Sequence, residues 1–443
     1  MKRASDEDSI TDAQPLVLAQ TELWSAAVLR DRVPQKVALV LTARSAIRSK
    51  ALFPWNIFDR DSLQPPGAVP TMAASLRRLI RALSCTLVAG CAAGQAPAPG
   101  FQHFEATPDT KAAGYCAWYG DSDGETLYFG ESAFWAAMRG AAGDPTADLK
   151  VAGKKGIGRF NLAGNRMEPP LEVKAADGSG VWDVLARFGR VYFTTYFGFA
   201  GSVDPASGAL SVFDDLGLGL NELAPGPDGS LLASRYGSVD GAPGSVVRFT
   251  PTGELLAEHP LGAPEGLVAA PKTVAWDPVR REIWVTVDLV SRKGAPAPPD
   301  ARRLGADGRE IERIAEPEIQ FVAFAADGTG YLAARTGSVL ELLVLEPGMT
   351  GSPLAAARHI TLDREFSPDF DFVQDIHPAS DGRVVLTRWS GKLHVVEPGA
   401  GRFETVDFPR DGGQGLYYSG VLAGRRLCAT YCAGVEVVCT ELP

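Results

Sequence analysis

The chain is predicted to fold as an all-β protein, a seven-bladed β-propeller, on three observations. A short unit recurs: Asn221–Gly237 reads as a strand, a Pro-Asp-Gly turn and a second strand ending in Ser234-Arg235-Tyr236. Gln374–Trp389 repeats that layout without a gap, and Gln320–Thr336 repeats it with one extra residue after Asp327-Gly328. Looser copies surround Asp123-Gly124, Gly189, Val279 and Gly424. Repetition at roughly 40–65 residues in four-strand units is the pattern of propeller blades. Finally, the 48 Gly and 32 Pro of 443 residues fall between short apolar runs, as an all-β chain with many turns requires.

The chain opens on residues 1–71, which carry no propeller pattern and are expected to be a mis-called, disordered extension ahead of a true start at Met72. From Met72 the pattern changes. Arg77, Arg78 and Arg81 form a basic start, the apolar run Ala82–Gly90 follows, and Cys91 closes it. That is the build of a secretory signal peptide, and it is too short to span a bilayer. Leu87-Val88-Ala89-Gly90-Cys91 resembles the lipobox of bacterial lipoproteins. The resemblance implies cleavage before Cys91, lipidation of its sulfur, and a membrane anchor of two or more acyl chains. Ala92 in place of Asp leans toward the outer membrane or cell surface. Residues 92–100, AAGQAPAPG, are expected to be a flexible tether.

Removing the signal removes positive charge. Residues 1–71 carry nine Lys/Arg against eight Asp/Glu and the signal carries three Arg, so a net −10 becomes about −14 for the rest. An acidic body argues against nucleic acid as a partner, since such binding uses a basic patch.

The blades occupy 101–443. Blade one is read as Tyr115–Trp118, Thr126–Gly130, Gly156–Leu162 and Leu171–Lys174; blade two as Trp182–Ala186, Val191–Tyr196, Gly201–Asp204 and Leu210–Phe213. Blade three is the opening repeat followed by the hairpin Val246–Leu256. Blade four begins at Lys272 and returns through Arg302–Ile314, blade five begins at Gln320, and blade six at Gln374. Blade seven has three strands, Leu416–Leu422, Arg426–Tyr431 and Val435–Leu442, so Phe101–Ala106 is expected to complete it at the outer edge. Irregular inserts in blades one and four leave six or eight blades open.

Four cysteines remain after Cys85 and Cys91, an even number suited to two disulfides in an exported chain. A hairpin about Ala433-Gly434 sets Cys428 opposite Cys439, leaving Cys116 for Cys432. No Cys-x-x-Cys pair suggests a metal cluster instead.

Loops sort onto two faces of a propeller. The 1–2 and 3–4 turns are tight, whereas the 2–3 loops Ser132–Lys155, Gly237–Ser245 and Leu289–Arg302 read as long, which makes their face the candidate binding surface. Innermost strands begin there with polar residues: Asp183, Asn221-Glu222, Thr273, Gln320, Gln374-Asp375 and Ser419. Second strands end there with Glu131, Arg235, Asp288, Arg335 and Arg388, beside Tyr196, Tyr236 and Trp389. His377 lies on an innermost strand and is expected to reach the channel; His103, His259, His359 and His394 read as ordinary strand or turn positions. Such a mouth has oxygens for Ca²⁺ or another divalent cation, and arginines and aromatics for a sugar acid or peptide carboxylate. A channel that merely holds water satisfies the same pattern.

The repeated strand, Pro-Asp-Gly turn and strand resemble the gluconolactonase- and regucalcin-like propellers, together with NHL-type and virginiamycin B lyase-like ones. The first of these resemblances implies a metal-dependent hydrolase, with Glu131, Asn221 and Asp375 nearest to the metal ligands. The early Glu-Gly-Pro of those enzymes is absent, and Asn221 precedes Glu222-Leu223 rather than Gly-Leu. The reading is therefore a lipid-anchored envelope module that binds a protein, peptide or saccharide, with a metal-dependent lactonase or lyase as the alternative.

Overall fold

The structure, a computed structural model, describes residues 100–105, 116–132, 156–173, 180–195, 199–237, 243–291, 297–347, 353–367, 371–409, 417–432 and 436–442. The extension 1–71, the signal with Cys91 and the tether up to residue 99 lie outside these. So do Tyr196, the insert 133–155 and residues 238–242 of the third-blade loop.

Seven four-stranded antiparallel sheets form a closed ring. Their innermost strands are, in order, Cys116–Ser122, Val181–Arg187, Leu220–Pro225, Leu267–Asp277, Glu318–Phe324, Val373–Pro378 and Tyr417–Ala423, and each packs on the next around the channel. The Asp-Gly turns form as read. Gly328 and Gly382 take positive φ of 89° and 84°, while the Asp327 and Asp381 carboxylates accept the N–H two residues on at 2.9 and 3.0 Å.

Strand alternation supplies the core. In blade three, Leu231 and Ala233 face blade two, packing on Tyr192 and Phe213, while Leu232 between them faces blade four and packs with Ile283 and Val285. Every seam between neighbouring blades carries such a cluster, seven in all among the described residues. No blade buries both of its faces alone, so the ring is the unit that folds.

Phe101–Glu105 closes the ring at the outer edge of blade seven, pairing antiparallel with Glu436–Thr440. Phe101 packs edge-on to Phe408 at 5.1 Å and Phe104 lies 4.8 Å from Phe160. Both expected disulfides are present at this seam. Cys428 and Cys439 are direct cross-strand partners with Cα atoms 4.1 Å apart, and Cys116 bonds Cys432 across blades one and seven.

Two strand assignments are corrected. The outer strand of blade one is Arg166–Glu172 rather than Leu171–Lys174. In blade four, Leu289–Arg302 is not a long loop: strands run Leu267–Asp277, Glu282–Ser291 and Ala297–Gly305, so the blade rises above the ring on the candidate face. The cause is proline. Pro169-Pro170 and Pro298-Pro299 read as loop, but the first pair sits on an edge strand and the second at a bulge opposite Val287 and Leu289, where no ladder N–H is needed.

Candidate functional site

Every innermost strand breaks register near its start. The skipped residues are Trp118-Tyr119 in blade one, Trp182 in blade two, Asn221-Glu222 in blade three and Lys272-Thr273 in blade four. Gln320, Gln374 and Tyr418-Ser419 complete the set. A bulge frees a residue from ladder pairing and re-aims its side chain. Seven of them at one end of the channel build the mouth.

Part of this polar rim holds the blades together. The Asp121 carboxylate accepts the Ala186 N–H at 3.0 Å, Asp183 accepts the Leu223 N–H at 2.7 Å, and Gln320 accepts the Val373 N–H at 3.1 Å. Ser234 donates to the Lys272 carbonyl at 3.1 Å, and the Ser419 hydroxyl accepts the Gly120 N–H at 2.9 Å. These bonds cross from one blade to the next, so polar strand starts serve the ring as well as any ligand.

The Tyr119 hydroxyl reaches across the channel and donates to Gln374 at 2.5 Å. Burial raises its pKa well above the usual phenol value, and the Glu222 charge adds to this. Burial likewise raises Asp183, to about 7, although two backbone N–H groups oppose it. Glu222 rises through burial and the Asp183 charge, with Lys272 opposing; Asp375 rises through burial, with Asp183 and Asp121 adding. His377, 3.9 Å from Asp121, is lowered by burial. Asp183, Glu222 and Asp375 thus act on one another's ionisation as well as being raised by burial.

An aromatic arc borders this cluster. Trp118 lies 4.2 Å from Trp182 and 4.5 Å from Tyr418, Tyr418 lies 5.4 Å from Trp389, and Trp389 stacks on Phe372 at 5.2 Å. The Cys116–Cys432 disulfide packs against it, and Tyr119, Trp182 and Trp389 remain half-buried. Sequence reasoning misses Trp118, Tyr119 and Trp182 as site residues. Their signal is positional: they occupy in blades one and two the place that polar residues hold elsewhere.

The three expected ligand-facing arginines are engaged within the protein. Arg235 pairs with Glu258 at 2.7 Å, and Arg335 with Glu318. Arg388, 2% exposed, binds Asp363 and Asp371 and lies over the Phe366 ring. Of the expected metal ligands, Asn221 donates its Nδ2 to the Tyr236 hydroxyl at 3.0 Å and Asp375 joins Asp183 and Glu222. Glu131 stands apart at the end of a second strand, where burial raises it to about 7. Among the described residues no three His, Cys, Asp or Glu side chains are arranged to hold a metal ion.

Fold and mouth together define a seven-bladed β-propeller with a polar, aromatic-rimmed channel. No protein-family model and no curated protein matches the chain. Solved structures do match. The extracellular domain of a hybrid two-component system of B. thetaiotaomicron superposes with a TM-score of 0.50 at 11% identity, over 79% of this chain and 42% of that one. Virginiamycin B lyase of Staphylococcus aureus, crystallised with quinupristin, gives 0.49 at 11% identity over 77% and 99% of the two chains. YCF48 bound to a D1 peptide gives 0.47 at 12% identity over 79% and 99%. Likeness at this level is one of fold.

Proposed function

We propose that this chain is an exported, lipid-anchored propeller of the bacterial cell envelope that binds a protein, peptide or saccharide at the mouth of its channel. The aromatic arc from Phe372 to Trp182 carries this reading, because half-buried rings beside a polar rim give a ligand both contact area and orientation. The export and anchor rest on the basic start at Arg77, the apolar run and Cys91. A metal-dependent lactonase or lyase is less favoured, since such chemistry needs acid, base and metal converging in one pocket.

The test uses the full chain expressed in a bacterial host. Cys91→Ser should move the protein out of the membrane fraction and remove the acyl mass from the mature N-terminus. On arrays of envelope peptides and oligosaccharides, wild type should bind a subset that Trp182→Ala and Trp389→Ala lose. Chelator-sensitive lactone hydrolysis, abolished by Asp375→Asn, would replace this reading with the enzymatic one.

A further inference from the structure

Strand direction fixes the face at which an anchor at Cys91 reaches the propeller. In blade seven, Arg426–Tyr431 ends at the mouth beside the Cys116–Cys432 disulfide, so Glu436–Glu441 runs from the mouth to the opposite face. The closing strand is antiparallel to it, with Phe101 against Thr440 and Glu105 against Glu436. Phe101 therefore starts on the face of the tight turns. There the Thr440 hydroxyl donates to the Gly100 carbonyl at 2.9 Å, and Asn165, in a tight turn of blade one, donates to Gln102 at 2.7 Å. The tether thus joins the ring on the side away from the mouth. Residues 92–100 reach roughly 30 Å even when fully extended. Blade four, whose innermost strand Leu267–Asp277 has 11 residues, stands about 36 Å tall. A mouth laid flat on the membrane is beyond that reach.

A second observation, independent of the tether, lies on the same face. The tight turn of blade two is Arg187-Phe188-Gly189-Arg190, with φ of 55° at Phe188 and 69° at Gly189. Two successive positive φ values define a hairpin turn that favours Asn-Gly or Asp-Gly. An aromatic residue in that conformation is an outlier. Its ring stands edge-on to Tyr192 at 6.5 Å, yet Phe188 is 58% exposed, more than any other large hydrophobic among the described residues. Folding of the turn gives no reason for it. Val279, 46% exposed, tips the equivalent turn of blade four.

Arginines flank both tips: Arg187 and Arg190 beside Phe188, Arg280 and Arg281 beside Val279. An apolar tip between arginines suits the boundary of headgroups and acyl chains, where the ring enters the chains and the guanidinium stays with the phosphates. Asp123, Asp228, Asp307 and Asp327 occupy other turns of this face, so it is not a polybasic surface that recruits a membrane by charge. The tether supplies proximity and the turn tips supply orientation.

Resting on the anchor reading above, we infer that the tight-turn face is a lipid-docking surface. Phe188 and Val279 enter the outer part of the acyl layer, and the mouth points away from the membrane. The ligand of the mouth then arrives from the aqueous side and is not a component of the membrane that holds the anchor.

The experiment uses the lipidated chain, purified from a bacterial host and reconstituted into phosphatidylethanolamine and phosphatidylglycerol vesicles with plain or brominated acyl chains. Bromine quenches only tryptophans that reach the acyl layer. The emission added by Phe188→Trp should fall by about half in brominated vesicles. That added by Glu265→Trp, on the exposed link ahead of Leu267 at the mouth face, should stay unchanged. Phe188→Asn suits the turn and should raise the melting temperature, which excludes misfolding. In a Val279→Trp background the same change should markedly reduce quenching.

Equal quenching at 188 and 265, quenching at 265 alone, or none at either position in acylated protein would overturn the inference and leave the anchor reading standing. A mature N-terminus without acyl mass would remove the anchor reading and this inference together.

Discussion

Replacing Glu131 with glutamine is expected to stabilise the protein above pH 7 and to change it little at pH 5. Glu131 is 7% exposed, and burial lifts its pKa from the usual carboxylate range to about 7. The folded state therefore holds this proton more tightly than the unfolded chain does. The resulting stability is complete below the unfolded pKa, declines between about 4.5 and 7, and is gone above that window. At about 1.4 kcal/mol per pH unit of displacement, the ionised side chain costs the fold at most about 3 kcal/mol. At pH 5 the same arithmetic leaves under about 1 kcal/mol. Glutamine keeps the shape without the charge. Urea unfolding of wild type and Glu131→Gln, disulfides intact, at pH 5 and pH 8 reads the difference directly, and other titrating groups cancel in the comparison. A variant that is less stable at pH 8, or a gap of equal size at both pH values, would refute the argument from burial.

Three other outcomes follow from the ring. Cys116→Ser should cost more stability than Cys428→Ser, because the Cys116–Cys432 bond closes a loop of 316 residues and the other one of 11; the loop-closure view gives roughly 6 against roughly 3 kcal/mol, read by denaturant unfolding. Removing Phe101–Glu105 should bare the Glu436–Glu441 edge and shift the protein to larger species on size-exclusion chromatography, whereas an unchanged elution volume and stability would show that the closing strand is dispensable. Gly158→Ala should destabilise by about 1–3 kcal/mol, since an added Cβ would enter the ring of its cross-strand partner Phe129; a neutral result in thermal melts would mean the ring can swing aside.

The blades were legible because their determinants are local. Alternating apolar residues fix a strand's two faces, and an Asp-Gly pair fixes the turn, so Asn221–Gly237, Gln320–Thr336 and Gln374–Trp389 could be superposed by eye. The closing strand was legible by subtraction, since blade seven lacked one. Proline hid Arg166–Glu172 and the rise of blade four, because the rule against proline in strands applies to ladder positions and these residues occupy an edge and a bulge. At the mouth, sequence located Asp183, Asn221, Glu222, Gln374 and Asp375 by blade register. It could not show that Arg235, Arg335 and Arg388 are neutralised, since Glu258, Glu318, Asp363 and Asp371 come from other strands or a blade link. Charge balance at a site depends on contacts distant in sequence, and that is why the sequence left a divalent cation and an acidic ligand equally open.

Of the described strands, the one that closes the ring is the first to be made and the last that can be placed. Phe101–Glu105 has no partner until Glu436–Thr440 exists, so a ribosome delivers six complete blades and a three-stranded seventh before any circle can form. Until then the seam that will unite Phe129 and Phe160 with Val421 and Val437 lies open on both sides. Closure thus proofreads the whole chain: a blade misplaced anywhere shifts the gap that Phe101–Glu105 must fill, and an incomplete product advertises itself by a free edge.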